Sequence, residues 1–267
     1  MRRNCKVITT CFIGRTVRKN TTIGGDPPGP FNHAQNFPTP EAVLELVALI
    51  YDLECKVDPG VESDTIIVNN DVGWEKGNRF LESLHNSKTY SGQLKVVNRE
   101  NFGRSFGGYN SAYEIFKSQY EYWTFTEDDI LVIGDGYFRT CIELFESEAK
   151  IGFVAIQGIS KEFKLHAHGG VGMTHIRVLD AVYKTLGKLP HRERHQSQAY
   201  DDIIVDGEIA FTNSISKLGL DLAEVQSKIP LYAYAYDYMR GIGYLLPDTE
   251  QAGHSPTQPP QPWCARQ

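Results

Sequence analysis

Three consecutive acidic residues, Glu127, Asp128 and Asp129, directly follow the aromatic, apolar stretch Tyr122 to Thr126. A hard divalent cation takes oxygen ligands, commonly one or two carboxylates together with phosphate oxygens. Two carboxylates at alternate positions after a strand can reach one metal ion, or divide between the metal and a ribose. Asp129 and Glu127 are therefore the candidate ligands for Mn2+ or Mg2+, and Glu127 and Asp128 are also placed with a bound donor. The bland alternative is a solvated acidic turn. A second feature is the run from Asn98 to Asn110, with Gly103, Gly107 and Gly108 ahead of or within a helix. Glycines there let backbone amides approach a phosphate or sugar, and Arg104 offers a forked donor. The alternative is a tight turn with Gly107 and Gly108 packed on a sheet. His166 and His168 stand at alternate positions before Gly169 and Gly170. They could bind a metal, but two histidines alone say little, and a loop lining an acceptor pocket is the preferred reading. His191, His195 and His254 read as surface residues.

These residues need a scaffold, and strand and helix signals alternate along the chain. That is the pattern of a largely parallel sheet covered on both faces. Strands are expected at Lys6 to Ile13, Asp64 to Asn69, Gln93 to Asn98, Tyr122 to Thr126 and Ile151 to Ile156. A helix opens at Thr39, a capping residue, with Pro40 at its first position. Its apolar residues Val43, Leu44, Val47 and Ile50 recur at helical spacing. Helices are also expected near Gly77 to Leu84, Ser105 to Ser118, Val171 to Leu186, and Ile209 to Leu218, the last stopped by Gly219. Leu231 to Tyr238 alternates with period two and reads as a strand with one aromatic face, with helix as the alternative, serving burial or stacking on a sugar. The Gly/Pro-rich stretch Thr21 to Pro40 is a long loop. Gln251 to Gln267 is Pro/Gln-rich and reads as a disordered tail. The expected organisation is one domain over 1–250, with a donor-binding half at 1–135 and an acceptor-binding half at 136–250.

In an open parallel sheet, ligands bind at the carboxyl ends of the strands. Asp71 follows the second expected strand, Asn101 to Arg104 the third and the acidic triplet the fourth. One site can thus be built from separated segments, with Thr10, Asp71, Asn101 and Arg104 assigned to the donor.

The composition sets limits. The chain has 267 residues, 41% of them hydrophobic, enough for a sizeable core. The net charge of -6 does not fit a protein that coats nucleic acid. The 5 cysteines are odd in number, widely spaced and without a C-x-x-C pair, which argues for a reducing compartment over a disulfide framework. Met1 to Asn4 is basic, but Lys6 to Gly14 is too short and polar for a signal h-region. No apolar run is long enough to span a bilayer. The expected location is cytoplasmic.

The combined order (Asn101 and Gly103, a helix bearing Asn110, an apolar strand, then the acidic triplet) resembles the family 2 glycosyltransferases of the GT-A fold. The resemblance covers roughly the first half of the chain, with Glu127 in place of the usual first Asp of an Asp-x-Asp motif. It implies an open, mostly parallel twisted sheet with helices on both faces. It also implies a nucleotide-diphosphate sugar donor, a carbohydrate or other hydroxyl acceptor, a divalent metal and inversion at the anomeric carbon. Asp71 falls where the family places an acidic residue that recognises the base. The family sets its catalytic acid residue just before a helix ending in Gly, and Gly207 to Gly219 has that shape. Glu208 is then the expected general base and Asp202, in the pair Asp201-Asp202, its alternative. Two departures stand out. Asn69 to Gly73 replaces a Gly/Ser-rich element, and the loop after the first strand is long. A nucleotidyltransferase would want a glycine-rich basic loop after that strand, where Gly14 to Lys19 is basic but poor in glycine. A non-catalytic nucleotide- or carbohydrate-binding module would keep the triplet and need no base.

Overall fold

The computed structural model describes residues 3–14, 37–160, 165–228, 230–235 and 238–239. The expected tail, His254, most of the 21–40 loop and the basic residues after Gly14 lie outside the described residues, as does the side chain of Asp201. The first half alternates β1 (Arg3–Thr10), α1 (Pro40–Lys56), β2 (Ser63–Asp71), α2 (Glu75–Leu84), β3 (Leu94–Glu100), α3 (Arg104–Phe116) and β4 (Tyr120–Glu127). These four strands run parallel. The second half holds β5 (Ile130–Val132), α4 (Tyr137–Ser147), β6 (Ile151–Ala155), β7 (Ile159–Ser160), β8 (His166–Ala167), β9 (Gly172–His175) and α5 (Ile176–Leu186). Then come α6 (Tyr200–Ile203), a π turn (Ile204–Ile209), α7 (Ala210–Lys217), β10 (Asp221–Glu224) and β11 (Tyr232–Tyr234).

Among the described residues the main sheet has seven strands in the order β10-β6-β9-β4-β1-β2-β3. It is parallel except at β9, which runs antiparallel to β4 and β6. Successive strand residues face opposite ways, so the sheet carries two cores. Val7, Ile66, Val68, Trp123 and Phe125 pack with α3, α5 and α7 on one face, while α4 meets Tyr122 from the opposite face. Ile8 and Ile67 pack with α1 and α2 on the other. Helices therefore cover both faces, and the open, mostly parallel α/β sheet expected from the sequence is the architecture observed. Among the described residues, no helix is long and apolar enough to cross a membrane, and Cys5, Cys11, Cys55 and Cys141 are free thiols.

Several elements differ from expectation. The first strand ends at Thr10, where its pairing with Asn69 ends, rather than at Ile13. The segment 171–186 is not one helix. Gly172–His175 alternates as a strand inserted between β4 and β6, and the helix begins only at Ile176, where the His175 ring accepts the Arg177 amide at 3.0 Å. The tyrosine run forms a strand only over Tyr232–Tyr234, antiparallel to β5, while Tyr236 and Asp237 lie outside the described residues. Glu208 does not open a helix. It lies within the π turn, between α6 and α7, and the backbone at Ile203 and Ile209 on either side is already helical.

Candidate active site

The end of β4 separates its three carboxylates. Asp128 turns back onto β1. Its amide donates to the Thr9 carbonyl at 3.1 Å, and the Thr10 hydroxyl donates to its carboxylate at 2.7 Å. Thr10 and Asp128, both expected at the donor, are thus engaged with each other, and both are buried. Removing the hydroxyl strips a buried carboxylate of one donor, which costs about 1–3 kcal/mol. Thr10→Val should lower unfolding stability by that amount in a urea titration.

Glu127 and Asp129 lie within electrostatic reach of the Tyr109 phenol of α3. Burial pushes that phenol well above its ordinary pKa, and the charges of Glu127, Asp129 and Glu208 add to the shift. Three carboxylates from two distant parts of the chain therefore act electrostatically on one buried hydroxyl. Asp129 is buried and Glu127 half-buried. A Cβ on Gly169 would stand 3.5 Å from Glu127 Oε2, so the carboxylate lies against a turn that leaves room beside it.

Glu208 reaches the same neighbourhood from the π turn, a form that recurs at functional sites. Its Oε1 lies 3.3 Å from His166 Nε2 on β8, and it accepts the Gly169 amide. Burial raises its carboxyl to about 7, and the Gly169 hydrogen bond opposes the rise. A carboxyl so placed can hold or release a proton near neutrality.

Phe106 of α3 fixes these pieces together. A Cβ on Gly170 would come within 2.6 Å of its ring, and one on Gly207 within 2.7 Å. Gly170 also has φ +62°, a conformation that costs an L side chain energy. Gly170→Ala combines a clash and strain, and should destabilise by about 1–3 kcal/mol in calorimetry or urea unfolding.

Asp202 goes elsewhere. It pairs with Arg192 Nη2 at 2.9 Å, while Asp206 sits 3.0 Å from Arg192 Nε. Asp71, at the end of β2, accepts the Gly73 amide at 2.7 Å and the Asn78 side chain at 2.9 Å. Asn101 is exposed, and its amide reaches Cys11 Sγ at 3.4 Å. Arg104 opens α3 at φ +43°, after Gly103 at +62°. A positive φ is uncommon for a residue with a side chain. The Gln198 side chain accepts the Gly103 amide at 2.8 Å. Asn110 is buried and its carbonyl accepts the Leu189 amide at 2.9 Å. His191 is buried rather than on the surface. Its ring hydrogen-bonds the Leu189 carbonyl at 2.8 Å and faces Phe102, and burial lowers its pKa.

Tyr109, Phe106 and Arg192 were not legible as site residues, whereas Gly169 lies in the loop expected to line an acceptor pocket. Tyr232 and Tyr234 converge on Gln157, whose backbone and side chain they meet at 3.3 Å, and the Gln157 side-chain oxygen lies 3.5 Å from the would-be Gly169 Cβ. The aromatic strand thus borders the carboxylate cluster.

No protein-family model and no curated protein matches the sequence. Among solved structures the chain is similar to S. aureus TarS 1–349, with 12% identity and a TM-score of 0.47, covering 86% of this chain and 59% of that one. It is also similar to CMP:2-keto-3-deoxy-manno-octonic acid synthetase complexed with CTP, at 9% identity and TM-score 0.44, covering 84% and 90%. A third is 4-diphosphocytidyl-2C-methyl-D-erythritol synthase from Anaerococcus prevotii, at 13% and 0.41, covering 89% and 96%. The chain spans less than two thirds of the TarS fragment.

Proposed function

We propose that the protein is a glycosyltransferase that moves a sugar from a nucleotide-diphosphate donor to an acceptor hydroxyl, with Glu208 as general base. The observation that carries this reading is that Glu127, at the carboxyl end of a parallel strand, and Glu208, from the other half of the chain, both lie against the Gly169 turn, with Asp129 two residues after Glu127. Ligands of open α/β sheets bind at this edge. In the reaction, the acceptor oxygen forms a bond to the anomeric carbon as the bond from that carbon to the phosphate oxygen breaks. The acceptor proton passes to Glu208 and the nucleoside diphosphate leaves.

Asp129 and Glu127 fit a hard divalent cation such as Mn2+ or Mg2+. Both offer carboxylate oxygens, Asp128 is turned away to Thr10, and the glycine at 169 leaves space beside Glu127. A cation there would offset the charge that develops on the leaving diphosphate. Arg104, Asn101 and Asp71 stand at neighbouring strand ends, where a donor would lie. The aromatic strand at Tyr232 and Tyr234 would border the acceptor.

The test is a thermal-shift panel of nucleoside diphosphates with and without Mn2+. A ligand at 100 times its Kd stabilises by about 2.7 kcal/mol, which is roughly 5 °C or more for a chain of this size. One nucleoside diphosphate should give that shift with Mn2+ and little without it. A flat panel would reject the reading.

A further inference from the structure

His166, His168 and Glu208 place one ligand atom each within 4.8 Å of one another. We infer that these three side chains form a second metal site, for a borderline transition ion of the Zn2+ class, and that its occupation switches transfer off by capturing the Glu208 carboxylate. The inhibition rests on the reading of Glu208 as the base; the metal site does not.

The geometry supports the site in three ways. First, His166 Nε2 and Glu208 Oε1 are 3.3 Å apart. Zinc bonds to nitrogen and oxygen are about 2.0–2.2 Å, so two ligands of a tetrahedral ion stand about 3.4 Å apart. This pair already has that spacing. Second, the chain turns sharply directly after the two histidines. Gly169 is left-handed at φ +56°, His168–Gly170 forms a single tight turn, and the His166 and His168 rings stand edge to face at 5.6 Å. The Gly169 amide meanwhile holds Glu208, so the turn that carries His168 also holds the carboxylate. Third, the donors differ in kind from those at the end of β4. Two imidazoles and one carboxylate suit Zn2+ and its neighbours, whereas an all-oxygen set suits Mg2+ or Mn2+. Three protein ligands leave a fourth position for water. More negative charge is at hand, because Glu224 Oε1 and the His168 ring each lie 3.8 Å from the point where Gly158 would carry a Cβ.

Coordination takes the Glu208 lone pair that would accept the acceptor's proton. No bond of the substrate is touched: the metal simply occupies the base.

The experiment titrates Zn2+ alone into the metal-free full chain by calorimetry. One equivalent should bind, and His168→Ala and Glu208→Gln should each weaken it by about 10-fold or more, given that even outer-shell changes cost 10–100-fold in metal affinity. Unchanged affinity in His168→Ala would overturn the site, as would no binding to the wild type. A cysteine site would show as binding that survives His168→Ala and vanishes on thiol alkylation, and it too would overturn the proposal. Transfer in Mn2+ is then followed as Zn2+ is added. Half-inhibition of His168→Ala, scaled to its own Zn2+-free rate, should need about 10-fold more Zn2+ than wild type. Zn2+ bound at these residues without inhibition overturns the switch. A chain that binds Zn2+ here but transfers no sugar overturns the transferase reading, and the switch with it, while leaving the metal site standing.

Discussion

Glu208→Gln should leave donor affinity unchanged and reduce transfer by roughly 100-fold or more, the usual scale of general-base catalysis. The amide keeps the size of the carboxylate and can still accept the Gly169 amide, so the π turn should hold its shape. What it loses is the basic oxygen. The competing carboxylate is already engaged: Asp202 pairs with Arg192, next to Asp206. Asp202→Asn would therefore loosen that ion pair and leave Arg192 held by Asp206, and transfer should fall far less. Donor affinity by calorimetry and transfer to any accepted sugar separate the two roles. Normal transfer by Glu208→Gln, with an inactive Asp202→Asn that still binds donor, would reverse the assignment.

The contrast between these two carboxylates shows where sequence reasoning stops. Parallel strands with two-sided burial can be read from short β-branched runs, because each strand carries its own apolar pattern. Val7 and Ile8 face opposite cores, and the run announces both. The acidic triplet could be found because it ends such a strand. What the sequence does not carry is direction. Nothing in it says that Asp128 folds back on Thr10 while Glu127 lies against the Gly169 turn. That division follows from the local turn into β5 and its pairing with β11, in which the Ala235 amide donates to the Asp129 carbonyl at 2.8 Å. Glu208 was reached through a pattern of glycine and helix length, yet it stands within a π turn whose extra residue per turn no periodicity reveals. The segment 171–186 was misread for a related reason. The four strand residues Gly172–His175 carry one large apolar side chain, Met173, too few for a period-two pattern, and only pairing with β4 and β6 distinguishes them from the helix. His191 was misplaced because a lone histidine after Pro190 looks solvated, and its burial depends on Phe102, nearly 90 positions earlier in the chain, facing its ring.

Asp129→Asn should remove the Mn2+-dependent part of nucleotide binding while keeping the fold. The reason is again position. Asp129 is buried, and its backbone carbonyl, not its side chain, anchors Ala235, so an isosteric amide should be accommodated. It would replace an anionic metal ligand by a neutral one in a site where the cation must offset both the carboxylates and the diphosphate. Losing a direct ligand should exceed the 10–100-fold cost of an outer-shell change, so Mn2+ affinity should fall by about 100-fold or more. The nucleotide shift in Mn2+ should then collapse to its metal-free value. Asp128→Asn is the matched control, because it changes the neighbouring carboxylate that Thr10 holds. It should lower thermal stability and leave the Mn2+-dependent nucleotide shift largely in place. If the two variants behave the other way round, Asp128 is the ligand and the metal sits closer to β1. If Asp129→Asn retains the full Mn2+-dependent shift, the end of β4 does not bind the cation.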